Sequence, residues 1–155
     1  MSTSSAPNAA PLLHRLPSRL DDLAALARAV DAWCRAAGVP GAEAQRLTLM
    51  IDELVTNTVL HGYRGREDGW IEVRLARAGD VVHVVLSDGA PHFDPTARRP
   101  VKPAEDLDEL VTRPLGGLGV DFVRRLVQRW QHQALPGGGN RLQLWRRIDS
   151  RPGND

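Results

Sequence analysis

The spacing of apolar residues changes near the middle of this chain, from helical spacing before residue 62 to mostly strand-like alternation after residue 70. Apolar residues three and four apart predict a helix over residues 20–37, with Ser18 as its N-cap. The same spacing predicts a second helix over residues 41–61, which ends at Gly62. The first 62 residues therefore favour two amphipathic helices.

The rest of the chain favours strands, with one interruption. Strand-like runs cover residues 70–75, 81–86, 130–135 and 141–147. Five prolines break the pattern over residues 90–114, where we expect a functional loop or lid, and a third helix is predicted over residues 120–128. This order predicts an α+β fold, a two-layer sandwich of helices on one face of a mixed, mostly antiparallel sheet.

The composition is that of an ordinary globular domain, with 42% hydrophobic and 25% charged residues among 155. The net charge of +1 gives no electrostatic case for nucleic acid or an anionic membrane. A single cysteine, Cys34, excludes an intrachain disulfide framework. We expect one domain over residues 12–148, disordered tails over residues 1–11 and 149–155, and a cytoplasmic location, because no signal peptide or membrane span is recognisable.

Glu53 and Asn57 lie four residues apart in the second predicted helix, so their side chains fall one above the other. Helical geometry places both at the shoulder of the apolar face. An amide oxygen is a hard ligand suited to Mg²⁺, and a carboxylate one turn away suits a general base for a hydroxyl. The alternative is an ordinary amphipathic helix with solvated polar residues.

Asp88 follows the second predicted strand, where a carboxylate suits a hydrogen bond from an adenine amino group and Gly89 allows close backbone approach. A plain Asp-Gly turn is the alternative. Further along, Gly116-Gly117-Leu118-Gly119 leads into the third predicted helix, where backbone N–H groups can meet phosphate. A flexible hinge is an equal alternative, because neither a Rossmann nor a Walker A pattern is present.

In this order, with the proline-rich loop between the last two, the three motifs resemble the ATPase superfamily of gyrase, heat-shock chaperone, histidine kinase and mismatch-repair proteins. The closest resemblance is to its small bacterial branch, the anti-sigma-factor serine/threonine kinases, over roughly residues 12–148. The motif E-L-x-x-N is matched by Glu53 and Asn57, the turn D-x-G-x-x-F-D-P by Asp88, Phe93, Asp94 and Pro95, and the glycine-rich box by Gly116, Gly117 and Gly119.

This resemblance implies a Bergerat-type ATP-binding fold with Mg-ATP as its ligand. Asn57 would hold Mg²⁺, Glu53 would be the catalytic base and Asp88 would bind adenine. The other nucleotide contacts would come from Ala90, Phe93, Gly116, Gly117, Leu118 and Gly119, under a lid formed by residues 90–114. The implied partners are an anti-sigma-factor antagonist, which receives the phosphate, and a sigma factor, and the implied assembly is a homodimer.

One position departs from the family pattern. Ala90 stands where the family has glycine, and Gly89 comes one residue early. If the site needs a positive φ there, alanine is strained by roughly 1 kcal/mol or more. Two functions therefore stay open: a serine/threonine kinase, and a catalytically weak or inactive nucleotide-binding module that acts by sequestering a partner.

Overall fold

The computed structural model describes residues 9–97 and 117–148. The strands in this part of the chain are β1 (Leu12–Pro17), β2 (Trp70–Ala78), β3 (Val81–Asp88), β4 (Arg129–Ala134) and β5 (Asn140–Arg147); the α-helices are α1 (Leu23–Ala36), α2 (Gly41–Asn57) and α3 (Gly117–Leu126). Short 3₁₀ turns lie at Leu20–Asp22 and Pro95–Ala97, and a π turn at Thr58–Gly62. None of these helices is both long and apolar enough to cross a bilayer.

The five strands form one sheet in the order β1-β2-β3-β5-β4. All four strand pairings among them are antiparallel, so the described strands contain no parallel pair. The register brings Asp88, the last residue of β3, opposite Asn140, the first residue of β5. The predicted α+β class is confirmed, with a sheet that is antiparallel throughout the described residues.

The helices pack on one face of this sheet, and residue alternation explains why. Along β2 the side chains of Ile71, Val73 and Leu75 are buried, whereas those between them are more exposed. The buried residues of the first two helices fall on one stripe of each helix: Leu26, Val30, Trp33 and Cys34 in α1, and Leu47, Met50, Ile51, Leu54 and Val55 in α2. These apolar surfaces join in a single core.

The segment before the first helix departs from its prediction. Residues Leu12–Pro17 form a strand paired with β2, which the sequence analysis did not predict. Ser18 is not the N-cap of the first helix, so that prediction was wrong. Its hydroxyl instead donates to the carbonyl of Arg66 (2.5 Å) and accepts from the amide of Gly69 (3.0 Å). Ser18 therefore ties the end of β1 to the loop that precedes β2.

Element boundaries differ from their predictions by a few residues. Regular α-helix ends at Asn57, and the chain continues to Gly62 as a π turn. The third helix begins at Gly117, three residues before its predicted start. Residues 1–8, 98–116 and 149–155 lie outside the described residues, so most of the predicted lid, Gly116 and nearly all of both predicted tails are not tested. Within the first predicted tail, the carbonyl of Ala10 accepts a hydrogen bond from the Trp33 indole (3.0 Å).

A buried ion pair joins the start of α2 to β5. Arg146 contacts both carboxylate oxygens of Glu43 at 3.2–3.3 Å. Another guanidinium nitrogen of Arg146 donates to the carbonyl of Leu126 at the end of α3 (2.6 Å). Arg46 adds a further contact to Glu43 at 2.8 Å. Because Glu43 is only 5% exposed, this network holds both α2 and α3 against the sheet from inside the fold.

Candidate functional site

A cavity of about 330 Å³ opens between the end of α2, the π turn and the adjoining ends of β3 and β5. Four predicted site residues line it: Asn57, Asp88, Ala90 and Phe93. Three histidines that were not predicted as site residues, His61, His92 and His132, line it as well. Pockets for small molecules span roughly 300–1,000 Å³, so this cavity is large enough to enclose part of a nucleotide.

The side chain of Asn57 reaches this cavity because regular helix stops there. The next residues form the π turn, and the hydroxyl of Thr58 donates back to the carbonyl of Leu54 (3.0 Å). Single π turns inside helices are frequent at functional sites. Within residues 9–97 and 117–148, no hydrogen bond engages the Asn57 amide, so its oxygen is available to a ligand.

Ala90 is buried at the floor of the cavity, where it meets the π turn. A Cβ added at Gly62 would lie 3.1 Å from the Cβ of Ala90, so these two residues pack as closely as their sizes allow. Arg64 is the single non-glycine residue with a positive φ in the described part of the chain. Ala90 therefore adopts an ordinary backbone conformation, and the strain considered for alanine at this position does not arise.

Asp88 ends β3 with its carboxylate on the cavity wall. Its Oδ1 accepts hydrogen bonds from the amide of Ala90 (2.9 Å) and from Nδ2 of Asn140 (3.0 Å). No donor in the described residues binds Oδ2, which leaves that oxygen for a ligand. Burial raises the pKa of Asp88 above its ordinary value, although the donors from Asn140 and Ala90 and the nearby His132 oppose that shift.

Asn140 was not predicted as a site residue, yet it is the most connected side chain of the cavity. Its Nδ2 donates to Asp88, to the carbonyl of Ala90 (3.3 Å) and to that of Pro91 (3.0 Å). Its Oδ1 accepts from the amide of Phe93 at 2.9 Å and lies 2.8 Å from a ring nitrogen of His132. The only sequence signal is its place directly after Gly137-Gly138-Gly139, between the last two predicted strands.

Tyr63 is a second residue that the sequence analysis did not single out. Its buried hydroxyl donates to the carbonyl of Trp70 (2.6 Å) and accepts from the amides of Trp70 (3.2 Å) and Gly89 (2.7 Å). Burial raises the pKa of Tyr63, so the hydroxyl stays protonated. The side chain thus joins the end of the π turn, the start of β2 and the turn that carries Asp88.

Glu53 does not line the cavity, but lies beside it against the first turn of α3. A Cβ added at Gly119 would overlap the carboxylate of Glu53, so the glycine lets this carboxylate lie directly against the helix. The N-terminal turn of a helix carries partial positive charge and favours a carboxylate there. Gly117 is the first residue of α3. The structure therefore brings two of the three sequence motifs, the E-L-x-x-N helix and the glycine-rich box, into contact.

A family model covers the part of the chain that contains the cavity, Glu53 and Gly119. A model described as the histidine kinase-like ATPase domain matches residues 16–145. The chain belongs to the histidine kinase-like ATPase domain family. The match runs from β1 to β5, so the complete cavity and the contact between Glu53 and Gly119 lie inside the histidine kinase-like ATPase domain.

A solved structure has the same architecture. The crystal structure of the RsbU and RsbW domains of Rv1364c from Mycobacterium tuberculosis matches 92% of this chain and 33% of its own, with a TM-score of 0.63 and 22% sequence identity. At this identity the similarity shows the histidine kinase-like ATPase fold alone.

Two curated relatives are both called serine-protein kinase RsbW. Serine-protein kinase RsbW of Listeria innocua is 32% identical over 82 residues, which is 52% of each chain. Serine-protein kinase RsbW of Bacillus pumilus is 30% identical over 101 residues, or 61% of this chain and 60% of the relative. This histidine kinase-like ATPase domain therefore spans about half of the first relative's length and somewhat more of the second.

Proposed function

We propose that this chain binds Mg-ATP and acts as a serine/threonine protein kinase that phosphorylates an anti-sigma-factor antagonist. One observation carries the proposal. The carboxylate of Asp88 is fixed at the cavity wall through Oδ1, and Oδ2, which has no donor among the described residues, can accept a hydrogen bond from a ligand. An adenine amino group is a donor suited to that position.

The opposite side of the cavity suits the phosphates and their metal. Asn57 presents an amide oxygen without a hydrogen-bond partner in the described residues, which is the kind of oxygen ligand that Mg²⁺ accepts. When bound, Mg²⁺ would neutralise negative charge on the phosphates. The N-terminal turn of α3, starting at Gly117, would direct N–H groups towards the phosphates. Leu118, Gly119 and the preceding Gly116 belong to this proposed phosphate-binding segment, and Phe93 and Ala90 to the adenine end.

Glu53 is proposed as the general base of the transfer. The hydroxyl oxygen of a serine or threonine of the substrate would form a bond to the γ-phosphorus, while the bond from this phosphorus to the β–γ bridging oxygen breaks and ADP leaves. The hydroxyl proton would pass to the Glu53 carboxylate. Its place beside Gly119 supports the role, because it lies at the helix turn proposed to bind phosphate.

The names of the two relatives support kinase activity for this chain over a module that only sequesters a partner. Both are serine-protein kinases named RsbW. Ala90, which had kept the sequestering alternative open, has no positive φ and so gives that alternative no further support. A sigma factor as second partner, a homodimeric assembly and a cytoplasmic location complete the proposal.

Nucleotide binding by the purified protein tests this function most directly. Affinity for ATP would be measured by calorimetry with and without Mg²⁺, for the wild type and for Asn57→Ala. We expect wild-type binding to need Mg²⁺ and the variant to lose most of that dependence. Gln45→Ala, which removes an exposed amide from the same helix, is the matched control and should bind as the wild type does. Wild-type protein that shows no ATP binding in the millimolar range would refute the proposal.

A further inference from the structure

Asn140 occupies the point where the last strand meets the turn that carries Asp88. It is the first residue of β5 and lies directly opposite Asp88 in the strand register. The three glycines before it all have positive φ, and a Cβ added at the last of them, Gly139, would overlap the carbonyl oxygen of Asp88. Glycine at 139 therefore lets the two strand ends approach, and Asn140 can contact the Asp88 carboxylate from its own strand.

The orientation of the Asn140 amide is fixed by its five partners. Three are acceptors, namely the Asp88 carboxylate and the carbonyls of Ala90 and Pro91, and all three surround Nδ2. The other two partners, the amide of Phe93 and the His132 ring, surround Oδ1. Since the Phe93 amide is a donor, a flipped side chain would lose four or more of these hydrogen bonds.

This arrangement determines which oxygen of Asp88 faces a ligand. Oδ1 already accepts two N–H groups, from Ala90 and Asn140. A proton added to the carboxyl group would therefore reside on Oδ2, which would then donate a hydrogen bond. While Asn140 donates to Oδ1, the ionised form is favoured and Oδ2 remains an acceptor. Burial acts against that ionised form, so the contribution of Asn140 matters for the character of the site.

We infer that Asn140 is a specificity-determining residue, which positions Asp88 so that the cavity selects a purine with a 6-amino group over one without it. The inference rests on the proposed function, since it assumes that the cavity holds the base of a nucleotide. Asn140 acts through Asp88, and Phe93 and His132 hold Asn140 in place from its other side.

The experiment compares two nucleotides in two variants. ATP and purine riboside triphosphate, which has hydrogen in place of the 6-amino group, would be titrated with Mg²⁺ into the wild type and into Asn140→Leu. Leucine has a similar size but no hydrogen-bonding group. The matched control is Gln143→Leu, because Gln143 lies on the same strand but contacts His83 (3.0 Å) and is not part of the cavity lining.

The wild type and the Gln143→Leu control are expected to prefer ATP by roughly tenfold or more, which is the effect of one hydrogen bond to a charged acceptor. Asn140→Leu should reduce this preference to within about twofold, chiefly by weakening ATP binding. A variant that binds both nucleotides more weakly by the same factor would show that Asn140 is only structural, and would overturn the inference.

Two further outcomes separate this inference from the proposed function. Wild-type protein that binds both nucleotides equally well overturns the inference but leaves nucleotide binding intact. Wild-type protein that binds neither overturns both. If Asn140→Leu does not fold, Asn140→Ala removes the same hydrogen bonds from a smaller side chain, and its preference for ATP should fall in the same way; an undiminished preference would contradict the inference.

Discussion

Asp88 and Asn57 line the same cavity, but the structure treats its two ends differently. At the Asp88 end, Asn140 and the amide of Ala90 donate hydrogen bonds to the carboxylate, and the amide of Gly89 in the following turn donates to the Tyr63 hydroxyl. At the Asn57 end, the side chains of Asn57 and Glu53 make no hydrogen bond or ion pair to another described residue. The Asp88 end is held by hydrogen bonds within the protein, whereas the Asn57 end has polar side chains without a partner among the described residues.

The difference follows from what each end would bind. Reading a base edge depends on direction, and a preformed acceptor loses little conformational entropy when the ligand arrives. Phosphates and Mg²⁺ bring their own charges, and their ligands must stay available to them. We therefore expect substitutions at the Asp88 end, the proposed adenine end, to change both stability and nucleotide binding. Substitutions at the Asn57 end, the proposed phosphate end, should change function with little change in stability.

Glu53→Gln should give the largest effect and tests the phosphate end. Loss of a general base lowers a transfer rate by roughly 10²–10⁴-fold, while the melting temperature should stay near that of the wild type because Glu53 has no described hydrogen bond to lose. Phosphate transfer from labelled ATP to the antagonist protein would be measured beside thermal unfolding. Asp52→Asn, at an exposed carboxylate next in the chain, is the control and should retain activity. A clearly lower melting temperature for Glu53→Gln than for the wild type would contradict the expected difference between the two ends of the cavity.

The three helices and the last four strands could be predicted from the sequence because their patterns are local. The stripe Leu47, Ile51 and Leu54 and the alternation along β2 and β5 are properties of neighbouring residues, and the structure buries those positions. Strand β1 escaped prediction because leucines occupy both of its faces, with Leu13 62% exposed and Leu16 buried. Its identity as a strand comes from pairing with β2, more than 50 residues away.

Site residues divide in the same way. Asn57, Asp88, Ala90 and Phe93 were proposed from motifs, and the fold brings them to one cavity. Tyr63 and Asn140 act through partners 26 and 52 residues distant in sequence, and nothing in their immediate neighbours signals such contacts. The residues proposed to bind the nucleotide can be recognised from local motifs, whereas the residues that hold them in place depend on tertiary contacts.

The next largest effect is expected at the adenine end, from a pair of neighbouring glycines. Gly138 and Gly139 have nearly equal φ values, 111° and 107°, so alanine is similarly strained at both. Only at Gly139 would the new Cβ overlap Asp88. Overpacking of this kind costs about 1–3 kcal/mol, so Gly139→Ala should unfold more easily than Gly138→Ala and bind ATP more weakly. Equal stability of the two variants in denaturant unfolding would show that this end is less tightly packed than described.

Tyr63→Phe should have a moderate effect at the same end. Phenylalanine fills the same space but leaves the amide of Gly89 and the carbonyl of Trp70 without the hydroxyl. Buried groups left unpaired cost about 1–3 kcal/mol, or roughly 2–12 °C in melting temperature for a chain of this size. Thermal unfolding would be compared with that of Asn57→Ala, which has no described hydrogen bond to lose. If Asn57→Ala were the less stable of the two, the contrast between the ends would be reversed.

The smallest expected effect on stability concerns the burial of the Asp88 carboxylate when no nucleotide is present. Its folded pKa lies above the ordinary value of 3.8, so the folded state binds the proton more tightly than the unfolded state does. The stability that this group contributes is therefore greatest below pH 3.8 and declines as the pH rises through the raised folded value.

Asp88→Asn removes this titration but can keep an oxygen as acceptor for Ala90 and Asn140. Without nucleotide, we expect the stability of Asp88→Asn relative to the wild type to increase from pH 4 to pH 7, while its ATP binding is lost. Asp52→Asn, at an exposed position, is the control and shows how much the loss of one carboxylate changes stability without burial. A stability difference that stays constant over this pH range would mean that the hydrogen bonds from Asn140 and Ala90 fully offset burial, and that the adenine end is organised without a cost to the fold.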